Sequence, residues 1–136
     1  MVVTGNIIEA MERVYAELRL LVEAAFDLHA SAPCFIHLVM IENIHSVKYL
    51  RKSEIVPNLN RFIIDKLEDV CARGKRAGLF RQGAEALKLH WMISAFSFYN
   101  VSNKATFSKS FGENALQRCA TGGLESPRAI AFGLSH

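Results

Sequence analysis

The sequence predicts an all-α protein, and three observations carry that reading. Apolar residues recur at three- and four-residue steps through long segments, the period of a helix with one face buried. The stretch Lys88-Leu-His-Trp-Met-Ile-Ser-Ala-Phe-Ser-Phe-Tyr-Asn-Val101 is apolar on more than one side when wound as a helix, so it must be covered on several sides. No segment shows the strict alternation of a half-buried strand, and no internal repeat or low-complexity block interrupts the pattern. A bundle of about five to six helices built around the apolar one is expected.

The first helix is expected over 7–26. Ile7, Ile8, Met11, Val14, Tyr15, Leu18, Leu21, Val22, Ala25 and Phe26 keep the helical step, while Glu9, Glu12, Arg13, Glu17, Arg19 and Glu23 take most of the other surface. Asn6 reads as its N-cap, and Glu9 three residues on completes a capping box. His29-Ala-Ser-Ala-Pro33 breaks the pattern. Ser31 is placed to cap a second helix over 32–45, with Pro33 in the first turn, where a missing N–H costs nothing.

A short polar-aromatic link, 46–52, leads to a third helix over 53–72. Its apolar face is Ile55, Val56, Leu59, Phe62, Ile63, Leu67, Val70 and Cys71. Pro57 belongs in the first turn, because an interior proline would cost about 3 kcal/mol. Arg73-Gly74 reads as a basic last turn followed by a C′ glycine. Residues 75–83 form a connector anchored by Leu79 and Phe80, and the apolar helix then runs over 84–103. Residues 104–112, rich in Ser and Thr and carrying Phe107 and Phe111, read as a loop. A short last helix over 113–120 is stopped by Gly122-Gly123, and the tail 124–136 is expected to be irregular.

At 136 residues, 51% hydrophobic and 21% charged, the chain fits one globular domain spanning 1–136 and not a disordered segment. A net charge of +3, spread along the chain, provides no basic stripe for nucleic acid. Cys34, Cys71 and Cys119 are odd in number and lack paired spacing, so reduced, buried thiols in a cytoplasmic protein are expected. The first residues have neither the basic region nor the apolar run of a secretory signal. The apolar stretch is too short, and too interrupted by Ser, Asn and His, to span a membrane.

Catalytic signals are weak. Glu42-Asn-Ile-His45 has the spacing used in di-iron bundles, but that chemistry needs the motif twice. His37 and His45 share a helix face, and a single metal site from His37, Glu42, His45 and His90 is conceivable; a polar cluster at a helix end explains the same spacing. There is no nucleophile elbow, phosphate loop, dinucleotide fingerprint or paired-cysteine motif, so neither an enzyme nor a cofactor is expected. The aromatics and methionines say more. Phe35, Met40, Phe62, Trp91, Met92, Phe96, Phe98 and Tyr99 come from three helices and are either core or the lining of an apolar pocket. His37, Asn43, His90 and Asn100 are the polar groups such a pocket could use.

Ile41-Glu-Asn-Ile-His-Ser46, Lys48-Tyr-Leu-Arg51, Ile64-Asp-Lys-Leu67 leading to Arg73-Gly74, Gly78-Leu-Phe-Arg81, Leu89-His90, Phe98-Tyr99, Ser102-Asn103, Thr106-Phe-Ser108 and Phe111-Gly112 occur in order. Together they resemble the C-terminal effector domain of TetR-family transcriptional regulators, over about residues 7–120. The resemblance implies an all-helical domain with a small-molecule pocket between helices and homodimerisation through two late helices. It assigns Phe35, His37, Met40, Asn43, Phe62, His90 and Trp91 to the pocket, and Met92, Phe96, Tyr99, Asn103 and Leu116 to the dimer interface. It implies a repressor whose partners are itself, a small apolar or aromatic effector, and DNA through an N-terminal helix-turn-helix. Residues 1–6 supply no such module, so this chain as written is not expected to bind an operator. Two rival readings stand beside it: a metal-dependent helical protein using His and Glu, and a helical adaptor whose exposed face binds a different protein.

Overall fold

The computed structural model describes residues 2–115. Five α-helices follow one another: α1 (Val2–Ser31), α2 (Pro33–Ile44), α3 (Ile55–Arg76), α4 (Ala86–Ser102) and α5 (Lys104–Phe111), with a 3-10 turn (Leu50–Lys52) between α2 and α3. No strand occurs among the described residues, so the all-α reading holds. The last helix expected over 113–120, and the tail after it, lie outside the described residues apart from its first three positions.

α4 is the centre. It packs against α1, α3, α2 and α5, which is how a helix apolar on several sides is covered. The main cluster consists of Val14, Leu18, Val22 and Phe26 from α1, Val70 from α3 and Ile93 from α4. The four α1 residues stand at four-residue steps, so they form one ridge along that helix. A second cluster, Leu67, Cys71 and Ala86, is joined to the first by Leu21 and Leu89, which touch both. Each large aliphatic side chain so buried contributes about 1.5–3 kcal/mol.

Several boundaries differ from expectation, each for a local reason. α1 begins before Asn6, which therefore lies inside the helix and not at its cap. Glu9 pairs instead with Arg13 one turn on. Ser31 does not cap α2: its hydroxyl donates back to the Leu28 carbonyl at 3.1 Å, closing α1. The cap position falls to Ala32, whose carbonyl receives the Phe35 and Ile36 amides at 3.1 and 3.2 Å. Pro33 takes the first turn, as its missing N–H allows. The chain bends by 86° between α1 and α2.

Gly74 does not end α3. The helix continues to Arg76, and Gly78, at φ +76°, holds the left-handed position after it. The Leu79 amide returns to the Gly74 carbonyl at 2.9 Å and the Gly78 amide to the Lys75 carbonyl at 3.1 Å, the paired bonds of a Schellman ending. Leu79 and Phe80 then turn onto the main cluster and anchor the connector. Residues 104–111 are the α5 helix and not a loop. Their hydroxyls find helical partners, with Thr106 donating to the Asn103 carbonyl and Ser110 to the Thr106 carbonyl at 3.2 and 3.0 Å. Phe107 meets Tyr99 of α4 edge-on, so tertiary contact outweighs poor helix propensity.

Among the described residues, no single helix is long and apolar enough to cross a membrane.

Candidate functional site

The apolar helix α4 carries one polar stripe. His90, Ser94 and Ser97 are separated by four and three residues and so share a side. His90 and Ser94 are half-buried, and Ser97 is fully enclosed, with 0% of its surface exposed. The Ser97 hydroxyl donates to the Ile93 carbonyl at 2.8 Å, with a longer approach of 3.4 Å to the Ser94 carbonyl. His29, in the last turn of α1, places Nδ1 2.8 Å from the same Ser97 Oγ.

The break at Ala32 and Pro33 swings the first turn of α2 across the end of α1, and this delivers Phe35 to His29. The two rings are stacked, 6.4 Å between centroids and 9° from parallel. Phe98 of α4 meets the other part of His29 edge-on at 5.8 Å and 87°. Burial holds the His29 ring below its ordinary protonation range, and the neighbouring His90 pushes the same way. A neutral imidazole between two aromatic rings, tied to a buried hydroxyl, can orient a small flat molecule by one hydrogen bond.

Of the residues assigned to the pocket from sequence, Phe35 and His90 come together around His29. Phe62 and Trp91 are 61% and 70% exposed, with Lys66 lying over the Phe62 ring. His37, Met40 and Asn43 are exposed on α2. No hydrogen bond or ring contact among the described residues joins His37, Asn43, Phe62 or Trp91 to the His29 group. His29 itself and Ser97 were the members that sequence reasoning did not assign, while Phe98 was read as either core or pocket lining. A signal for them existed: a histidine and two serines in helical register on an otherwise apolar helix mark a face that must meet a polar partner.

Of the residues assigned to a dimer interface from sequence, Met92 and Phe96 are half-buried, and Phe96 packs against the main cluster. Tyr99 is half-exposed beside Phe107. Asn103 is the single residue between α4 and α5, and its side-chain amide donates to Ser102 Oγ at 2.8 Å. Leu116 lies outside the described residues. Leu87, Trp91 and Tyr99 leave α4 with an uncovered apolar side.

Glu42 has a structural task. It is only 4% exposed, and its Oε2 accepts the Tyr49 and Leu50 amides at 3.2 and 3.1 Å. Among the described residues no group of three or more His, Cys, Asp or Glu side chains stands close enough to hold a metal ion. His37, Glu42, His45 and His90 are therefore not assembled as one ligand set.

Comparison with known proteins agrees with this helical arrangement. A family model described as "Tetracyclin repressor-like, C-terminal domain" matches residues 15–126. Over 91 residues the chain is 29% identical to the HTH-type transcriptional repressor NicS of Pseudomonas putida, a match covering 67% of this chain and 43% of that protein. The chain thus spans less than half the length of the curated relative it matches. No solved structure matches it. With the family model running from within α1 to beyond α5, the chain belongs to the tetracyclin repressor-like transcriptional regulators, as their C-terminal domain.

Proposed function

We propose that this chain, as one domain over 1–136, is the effector-sensing and homodimerising part of a repressor and is not an enzyme. The observation that carries the sensing half is the His29 group, where a neutral polar pair and two aromatic rings meet at the joint of α1, α2 and α4. The uncovered apolar side of α4, with Leu87, Trp91 and Tyr99, supports self-association. In the longer regulator, a helix-turn-helix ahead of α1 would read the operator in the cytoplasm. An effector preferring one packing of α1 against α4 would shift the spacing of two such heads, and so the affinity for DNA.

Sedimentation equilibrium with a thermal-shift panel of small aromatic compounds tests this reading. A homodimer whose melting temperature rises with some aromatic compounds is expected. A monomer that no compound stabilises would remove both halves of the proposal.

A second reading has its own observation. Ile55, Leu59 and Phe62 form an exposed apolar stripe on the first half of α3. It suits docking to a different protein, and a homodimer in which this stripe stays reactive to surface labelling would favour that addition.

A further inference from the structure

The hydrogen bonds at Ser97 bear on where a proton sits on His29. A serine hydroxyl has one proton, and that of Ser97 is committed to the Ile93 carbonyl at 2.8 Å. Towards His29 Nδ1, also 2.8 Å away, Ser97 Oγ has only lone pairs to offer. This geometry favours the imidazole as the donor, with its N–H on Nδ1. A neutral ring protonated at Nδ1 has a bare lone pair at Nε2. Among the described residues Nε2 has no hydrogen-bond partner, and the ring is only half-buried, so that lone pair is accessible.

The surroundings limit what can meet it. Phe35 and Phe98 line the ring with aromatic surface. From Leu20 through Val47, which covers the second half of α1 and all of α2, the sequence contains no Lys or Arg. On α4 the one Lys or Arg is Lys88, which is exposed and paired with Glu85 at 3.1 Å. The site thus offers an acceptor and aromatic walls, and the second half of α1, all of α2 and α4 bring it no unpaired lysine or arginine to match a carboxylate or phosphate, His90 being the further imidazole beside it.

Resting on the sensing reading above, we propose that the effector is an uncharged aromatic molecule bearing an O–H or N–H, which lies against Phe35 and Phe98 and donates to His29 Nε2. His29 is then a specificity-determining residue, and Ser97 is a positioning residue that acts by fixing its tautomer.

Two measurements on the full chain test this. Long-range proton–nitrogen NMR of the histidine rings, with His29 assigned through His29→Phe, is expected to show the Nδ1–H form. An Nε2–H form at pH 7.5 would overturn the proposal without any ligand. Calorimetric titration would then compare phenol, toluene and benzoate. Phenol is expected to bind roughly tenfold tighter than toluene, as one added hydrogen bond allows, with benzoate weaker than phenol. In His29→Phe, and to a lesser degree in Ser97→Ala, the phenol preference should vanish while toluene still binds. Equal binding of phenol and toluene, or a preference for benzoate, would overturn the donor assignment and leave the sensing reading standing. Failure of all three to bind would overturn both.

Discussion

Phe80 lies directly on the backbone of Gly74. A Cβ at Gly74 would collide with the Phe80 ring at Cδ2 and Cε2. Because Gly74 is buried and the ring also packs on the main cluster, the ring has little room to retreat. Gly74→Ala is therefore expected to destabilise by about 1–3 kcal/mol, the range for overpacking a filled core. In a Phe80→Ala background the same substitution should cost much less. Denaturant melts of the four proteins measure that coupling, and simple additivity would mean the close approach has no energetic weight.

The turn after α2 is held against its own preference. Ser46 and Val47 have φ of +53° and +63°, left-handed values that a β-branched residue avoids. What holds them is Glu42, which binds the Tyr49 and Leu50 amides through Oε2 and the Val47 amide, at 2.7 Å, through its backbone carbonyl. Glu42→Ala is expected to cost about 1–3 kcal/mol by leaving those two amides without their acceptor. Val47→Gly is expected to gain up to about 1 kcal/mol by removing the strain. Thermal melts of both variants check the pair of opposite signs.

What the sequence made legible follows from which forces are local. The Val14–Leu18–Val22–Phe26 ridge was readable because one-sided burial prints its period directly into the chain. The central place of α4 was readable because an all-round apolar helix has few alternatives. The role of Gly74 was not, since Arg73-Gly74 has the local look of a helix stop and the deciding neighbour, Phe80, arrives only after the next turn. α5 was not, because its Ser and Thr residues argue for a loop and the opposing contact comes from Tyr99. His29 sits inside what reads as a helix-breaking segment, and only the packing of α1 against α4 shows that it faces Ser97.

Two titrating groups give separable pH windows. The folded state disfavours protonated His29, so between its folded value and the ordinary value of about 6.5 the unfolded chain binds more protons. Stability should fall as pH drops from about 6.5 and stop falling once folded His29 is protonated. The hydrogen bond from Arg73 lowers the Glu17 carboxyl, so its contribution is present above the usual carboxylate range and is lost in acid below it. Melting temperature against pH should show both declines in the native chain. In His29→Phe the upper decline should disappear and the lower one remain.

Phe96 and Trp91 separate folding from association. Phe96 packs against the main cluster, so Phe96→Glu would bury an unpaired charge and is expected to cost about 3 kcal/mol or more. Trp91 is largely exposed on the uncovered side of α4, so Trp91→Glu should leave the melting temperature of the monomer nearly unchanged. Sedimentation equilibrium should then show that Trp91→Glu shifts the dimer towards monomer. An unaltered dimer would place the interface on another face.

A helix apolar on several sides has a weakness: hydrophobic burial hardly distinguishes one rotation about its axis from the next. For α4 the bond between His29 and Ser97 supplies the missing preference. Turning the helix by one residue, about 100°, would bring an apolar side chain opposite His29 Nδ1 and leave its N–H without an acceptor. The polar pair thus acts as an angular key for the central helix. The bond that orients the imidazole within works with the packed Ile93 and Leu89 to decide which side of α4 is left facing outward.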